Sequence, residues 1–453
     1  MKRAWYVLLV ILLAFGALPA GAEKLDALPD IFRMSVEAEE RKEEDNRYFI
    51  LKEYLTTVND AVNEELRAIV DGFDQSLRPA MQPDEAKNAK RNSRLDIETV
   101  YQYTGQSWLS VMVLARTSYE RAQLSSPFET RTWNLETGAR VTLSDIFAND
   151  SPAWDLLASR VREHVGSLFP NEPRNPEAVE RLASLESLKS AGFTLSAMEL
   201  TFHYEAKDVY PGKACLMHVR FFYDELWDMM TPEARMQTDN SHWKMVALTC
   251  DDGPNYTQSS NALSNFRREG ARVTYFTVGK LIPEYPEVLM RQFDQNHLIA
   301  SHSYHHWSGY SLKPESRLRE LAMCDELLLD LVGERNTLFR APGGTYPPWA
   351  EAGIGLPIIQ WSVDTYDYTG KDPAHIFYSV RNNVRDGDII LMHDTGAELW
   401  KAIPRMAEYL RENGYRMVTV EELAHMNGIA LEPNVVYHRL FEGDFSPRTD
   451  SNI

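Results

Sequence analysis

Two adjacent carboxylates, Asp251 and Asp252, close the apolar run Val246-Ala247-Leu248-Thr249-Cys250 and lead into Gly253-Pro254. Like charges a few ångströms apart repel, so such a pair has to be neutralised or used. A metal ion bound to one carboxylate leaves the other free as a base. Further along, His302-Ser303-Tyr304-His305-His306 spaces two imidazoles four residues apart. That spacing puts both on one face of a helical turn, and His305 offers an i,i+3 alternative to His306. One carboxylate plus two imidazoles makes a three-ligand site with a position left for water, as in catalytic zinc centres. The residue types therefore point to metal-assisted hydrolysis. Neighbouring residues of a strand alternate sides, so Asp251 and Asp252 suit metal plus base better than glycoside hydrolysis, where two carboxylates stand about 5–9.5 Å apart.

The elements around these residues repeat a short strand and a helix. Strands are expected at 245–249, 273–278, 298–300, 338–340, 358–363, 388–392 and 416–420, with helices between them, several ending at Gly270, Asn296 or Gly414. Repeated β-α units over this length favour a parallel sheet or barrel, in which functional groups lie at the carboxyl ends of the strands. Asp251, His302, Arg340, Asp364 and His393 all fall there.

The preceding stretch reads differently. The charge run from Glu37 to Glu44 reads as the solvated face of a helix, continued to about Ser76 by Leu51, Leu55, Val58, Val62 and Leu66. A polar loop is expected at 78–91, strands at 95–103, 108–117 and 128–135, helices at 153–168 and 176–188, and further strands at 193–204 and 218–223. This is an α+β pattern of a small antiparallel sheet with helices beside it. With 453 residues, more than one domain is expected: an amino-terminal α+β domain at 23–240, an α/β domain at 241–430, and a tail at 431–453.

Met1-Lys2-Arg3, the apolar stretch to Leu18 and the small residues Pro19-Ala20-Gly21-Ala22 follow the order of a secretory signal, so export to the periplasm, envelope or exterior is expected. The net charge of −19 argues against nucleic acid as a partner. Three cysteines, Cys215, Cys250 and Cys324, make no disulfide framework; Cys250 and Cys324 read as buried thiols, with a disulfide from Cys215 to either as the alternative.

Five segments together resemble the motifs of the polysaccharide deacetylase (NodB homology) domain of carbohydrate esterase family 4, over residues 245–427. They are Thr249-Cys250-Asp251-Asp252-Gly253-Pro254, His302-Ser303-Tyr304-His305-His306, Arg340-Ala341-Pro342-Gly343-Gly344, Asp364-Thr365-Tyr366-Asp367-Tyr368 and Leu391-Met392-His393-Asp394. Cys250 stands where Phe is usual, Gly343 where an aromatic is frequent, and Tyr368 in place of Trp. The resemblance implies an α/β fold, a deformed (β/α) barrel, and hydrolysis of N-acetyl groups on an amino-sugar polymer. Asp252, His302 and His306 would hold one divalent metal, with zinc first and cobalt or another divalent ion as alternatives. Asp251 would act as base, His393 as acid with Asp367 keeping it charged, and Arg340 would pair with Asp251. Gly343, Trp361, Tyr368 and Leu391 would contact substrate, Leu391 lining the acetyl pocket. Residues 128–227 resemble the RsiV-like domain, on Trp133-Asn134-Leu135-Glu136-Thr137-Gly138, Leu143-Ser144-Asp145-Ile146-Phe147, Leu200-Thr201-Phe202-His203-Tyr204 and Val219–Leu226. That resemblance implies an envelope role, with a glycan or protein as ligand. Peptidoglycan is the first substrate expected. A chitooligosaccharide, acetylxylan with O-ester hydrolysis, and a catalytically idle envelope-binding protein are the alternatives.

Overall fold

The computed structural model describes residues 32–43, 46–81, 92–119 and 122–441. The leader-like segment and most of the expected 78–91 loop lie outside them.

The amino-terminal part is built on a seven-stranded sheet: β1 (Arg33–Glu43), β2 (Asn46–Thr56), β3 (Asn92–Tyr103), β4 (Trp108–Tyr119), β5 (Ala122–Ser125), β6 (Phe128–Asn134) and β7 (Arg140–Val141). The order is β1-β2-β3-β4-β6-β7, with β5 on β4. β2 and β3 are parallel because the helix Asp60–Leu77 crosses between them; the other pairs are antiparallel. A smaller sheet, β8 (Phe193–Leu195), β9 (Glu199–Glu205) and β10 (Leu216–Phe222), has the order β10-β9-β8.

The expected helix over the Glu37–Glu44 charge run is corrected: residues 37–43 lie in β1, paired with β2 from Arg33↔Thr56 to Glu43↔Asn46, and Glu44 lies outside the described residues. Leu51 and Leu55, four apart, fit either period, and Tyr48-Phe49-Ile50 favours a pleated surface. The helix begins only after Asn59, whose side chain accepts hydrogen bonds from the Ala61 and Val62 N–H groups. Its Val62, Leu66 and Val70 pack on Ile50, Leu95, Ile97, Val111 and Val113 of the sheet.

The opposite face of that sheet carries Glu53, Glu98 and Arg116, all buried, against the helices Gln258–Arg268 and Pro286–Asp294. Arg267 grips Glu53 with two hydrogen bonds of 2.8 Å, and Arg268 adds one of 3.0 Å. Glu98 is within 3.0 Å of Arg267 and 3.1 Å of Arg116 and also pairs with Arg291. Arg116 reaches on to Asp294 at 2.7 Å. These ion pairs join the sheet to the remainder of the chain.

That remainder is a deformed (β/α) barrel. Its strands are β11 (Lys244–Asp251), β12 (Thr274–Thr277), β13 (Leu298–Ser301), β14 (Ile358–Ile359), β15 (Val363–Asp364), β16 (Ile389–His393), β17 (Tyr415–Val418) and β18 (Val436–Tyr437). All ladders among them are parallel. β11 is buried from Met245 to Asp251, as a strand covered on both faces must be, hence its continuous apolar run. β12 and β13 continue the ring on one side, and Phe339 bridges Ser301 to Ile358. The segment expected as one strand over 358–363 changes partners: 358–359 joins Phe339, and 363–364 joins β16. This switch closes the ring, since β16 returns to β11. Val436–Tyr437, in the stretch read as a tail, pairs with β14. Gly270, Asn296 and Gly414 adopt positive φ where the helices before them end. All three cysteines are free and buried.

Candidate active site

The barrel delivers the predicted residues to one end of its strands. In the β11–β16 ladder Asp251 is the register partner of His393, although 141 residues separate them. β13 ends at Ser301, so His302 is the first residue beyond it. Two expectations about local conformation are corrected here. Asp252 leaves the strand with φ 74°, so it does not simply alternate with Asp251. The His302–His306 segment is no helical turn: it is a loop in which Ser303 (φ 62°) and His306 (φ 64°) are left-handed. Non-glycine residues held in sparsely populated backbone conformations cost on the order of 1–3 kcal/mol each and cluster at functional sites. Here they curl the loop until the two imidazole centroids lie 4.9 Å apart. The Ser303 hydroxyl accepts a hydrogen bond from the His306 N–H at 3.0 Å and fixes the curl.

Asp252, His302 and His306 offer ligand atoms that all lie within 4.8 Å of one another. His302 is buried and donates its Nδ1 hydrogen to the Arg340 carbonyl at 2.9 Å. Burial lowers its pKa, against the raising effect of Asp251 and Asp252. Its Nε2 is therefore a lone pair, yet it faces Asp252 Oδ1 at 3.5 Å and Asp251 Oδ2 at 3.6 Å. Asp252 Oδ1 is buried without a hydrogen bond, 3.1 Å from His306 Nε2. Burial would raise the Asp252 carboxyl, but the nearby His306, His302 and His393 bring it down to about 2. Acceptors that converge without a proton between them call for a cation. An oxygen and two imidazole nitrogens fit a divalent metal of the zinc type. His305 is not part of the cluster: its Nδ1 and its backbone N–H both bond to the carboxylate of Glu320, each at 2.7 Å.

Arg340 is fully buried and spans the barrel. It donates to the carbonyls of Ile359 and Gln360 at 3.0 Å each, where the 358–364 segment changes partners. It also donates to Asp251 Oδ1 at 2.8 Å and to the Thr249 hydroxyl at 2.7 Å. Asp251 is thus held by one oxygen and presents the other to the cluster.

His393 is bound twice by Asp367, which accepts from its Nδ1 at 2.8 Å and from its backbone N–H at 2.7 Å. Burial works against a charged imidazole, but the Asp367 hydrogen bond and the charges of Asp367, Asp251 and Asp252 outweigh it and raise the pKa to about 9. Tyr368 stands edge-on to His393 at 5.1 Å and is 56 % exposed. Gly343 is exposed and left-handed, with open space where a side chain would stand. Trp361 is half-buried beside Gly344. Leu391 is buried between Thr249 and Asp364 in the ladders.

Sequence reasoning missed Thr249, Ser303 and Glu320 as holders of these groups. Thr249 and Ser303 sit inside the quoted motifs and could have been found as hydroxyls beside charged residues. Glu320, on the helix Pro314–Val332, carries no local signal.

Residues 238–352 match the family model for polysaccharide deacetylase. The carboxyl-terminal region carries a polysaccharide deacetylase domain. Among curated relatives, the chain is 25% identical over 296 residues to a peptidoglycan-N-acetylglucosamine deacetylase, PgdA, of Listeria monocytogenes, covering 64% of this chain and 63% of the relative. It is 28% identical over 187 residues to the peptidoglycan-N-acetylmuramic acid deacetylase PdaC of Bacillus subtilis, covering 41% and 40%. The chain thus spans less than two thirds of either relative's length. A solved structure described as T48 deacetylase with substrate is 31% identical, with 44% of this chain and 98% of that one covered, at a TM-score of 0.42. The matched residues include Asp251, Asp252, His302, His306 and Arg340, and Asp367 and His393 lie beyond them.

Proposed function

We propose that the chain is an exported metal-dependent hydrolase that removes N-acetyl groups from an amino-sugar polymer, with zinc as the metal and peptidoglycan as the substrate. One observation carries the reading: a three-ligand cluster, Asp252, His302 and His306, lies between a tethered carboxylate and a histidine held charged. The deacetylase relatives support the substrate class. The leader-like Met1–Ala22 supports export, and the RsiV-like resemblance supports an envelope ligand for the amino-terminal part.

When bound, the metal supplies polarisation of the acetamide carbonyl and acidification of water, whose pKa falls from about 15.7 to about 7 at such sites. The residues do the rest. Asp251, fixed at Oδ1 by Arg340, takes the water's proton on Oδ2; a general base of this kind contributes about 10²–10⁴-fold. Backbone N–H groups near Cys250 or Gly343 are the donors proposed for the developing oxyanion. His393 gives its proton from Nε2 to the departing nitrogen, since Nδ1 is committed to Asp367. The C–N bond then breaks to acetate and a free amine. An amine leaves poorly unless protonated, so a histidine charged up to about pH 9 suits an amide better than an ester. Trp361, Tyr368 and Leu391 are the proposed walls of the sugar and acetyl subsites.

The test is acetate release by zinc-loaded protein from purified peptidoglycan, chitooligosaccharide and acetylxylan, beside an Asp252→Ala variant. Metal-dependent release from peptidoglycan, abolished in the variant, is the expected result. Release from acetylxylan alone would replace the amide by an ester substrate, and no release from any of the three would end the hydrolase reading.

A further inference from the structure

The loop after His302 carries an aromatic residue that the hydrolytic chemistry leaves unused. Trp307 directly follows His306 and remains 49 % exposed. A large ring in water forgoes the favourable burial that usually fixes it, yet this one is fixed from behind. Its plane lies on the His305 imidazole, with centroids 4.2 Å apart and 9° between the planes. His305 is in turn clamped by two hydrogen bonds to Glu320, itself buried. One indole face is thus occupied by a support anchored in the protein, and exposed ring surface remains one residue along the chain from His306.

The surroundings suit a long substrate. The next residues of the loop are tied to the 342–345 segment, where the Thr345 hydroxyl oxygen accepts a hydrogen bond from the Gly309 N–H at 3.3 Å. That segment includes Gly343, whose missing side chain leaves the wall open. At the His393 end of the cluster, Tyr368 presents a further exposed ring. An aromatic face packs against the C–H face of a pyranose, while the hydroxyls at the sugar's edge remain free for water.

We infer that Trp307 is a preformed stacking platform for a sugar next to the one that loses its acetyl group. With Tyr368 at the His393 end, it selects an internal residue of a glycan chain over a terminal or isolated sugar. The inference rests on the deacetylase reading and names the form of substrate that reading takes.

The experiment uses zinc-loaded full-length protein with chitooligosaccharides of two to five sugars, comparing wild type, Trp307→Ala and Trp307→Phe. Acetate release gives kcat and KM, and calorimetric titration of the pentamer gives affinity. The expected result is a wild-type kcat/KM that rises with chain length. Trp307→Ala should lose about ten-fold on the pentamer, the size of one aromatic stacking contact. That loss should fall on KM and shrink on the dimer, and Trp307→Phe should recover most of it. An equal loss at every length, carried by kcat, would overturn the platform and make Trp307 a support for His306. Unchanged kinetics in Trp307→Ala would overturn it too. If wild type releases acetate from neither these oligomers nor purified peptidoglycan, the deacetylase reading fails by itself. Titration then decides the platform: pentamer binding weakened by Trp307→Ala upholds it, and binding that is absent or unaffected overturns it.

Discussion

Two clusters of charge lie in this molecule, one buried and one open to solvent at Asp252 and His306, and their chemistry is opposite. Between the seven-stranded sheet and the barrel, Glu53, Glu98 and Asp294 each have at least one guanidinium within 3.1 Å. At the end of the barrel, Asp252 meets only imidazoles, and a histidine lone pair faces two carboxylates. Burial of charge is expensive, fully so in the first cluster and in the second at Asp251 and His302. In the first the protein supplies its own counter-ions and gains a rigid joint. In the second, Arg340 and His393 supply positive charge at the margins, but Asp252 Oδ1 and the His302 and His306 nitrogens converge on one another with no cation among them. Buried charge alone does not mark a functional site; buried charge left uncompensated does.

Three substitutions break or sharpen this contrast. The largest effect belongs to Asp252→Asn, expected to lower acetate release by about 10³-fold or more, because removing a ligand costs the metal's Lewis-acid contribution. In wild type, zinc at 100 times its Kd should stabilise the fold by about 2.7 kcal/mol. In Asp252→Asn that gain should vanish, while the metal-free variant melts no lower than metal-free wild type. A metal-free variant that melts well below wild type would show that the cluster is satisfied internally, and the contrast would fall. Next comes Glu98→Gln in the joint. Leaving Arg116, Arg267 and Arg291 without that carboxylate should destabilise the protein by about 3–5 kcal/mol in urea unfolding, with zinc stoichiometry unchanged in the folded protein. A loss below about 0.5 kcal/mol, the scale of an ordinary surface change, would mean that the joint is not rigid. The smallest effect is expected from Asp367→Asn. His393 acts in its protonated form, and its pKa is raised to about 9, so wild-type activity should hold through neutral pH and fall as pH rises through about 9. Asparagine accepts the hydrogen bond without the charge, so the falling limb should move down towards the usual value near 6.5, with kcat at pH 8 reduced by about ten-fold or more. A limb that stays near 9 would transfer the credit to Asp251 and Asp252.

The placement of Asp251, His302, Arg340 and His393 was legible because parallel strands covered on both faces leave an unmistakable apolar run. The residue that follows such a run is the one delivered to the carboxyl end of the barrel strands. The shape of the His302–His306 loop was not legible. Its left-handed residues are set by strand β13 behind it and by contacts of Ser303, none of which the four-residue spacing encodes. Nor could the sequence pair Glu98 with Arg291 or His305 with Glu320, because charge partners far apart in the chain have no local signature. The break within 358–364 was hidden for a similar reason: the apolar pattern runs through it, and only the two different neighbours reveal it.

The charge run misread as a helix face has a consequence of its own. β1 is an outermost strand of the seven-stranded sheet and, among the described residues, pairs only with β2. A strand with one free side is a template on which another chain can add itself, the first step towards aggregation. Along it the sequence places Glu37, Glu39, Glu40, Arg41, Lys42 and Glu43, a density of charge of the kind that discourages edge-to-edge pairing. The barrel, closed by the partner switch at 358–364, exposes little edge of this kind. The densest run of charge in the chain lies where the fold most needs to remain solitary.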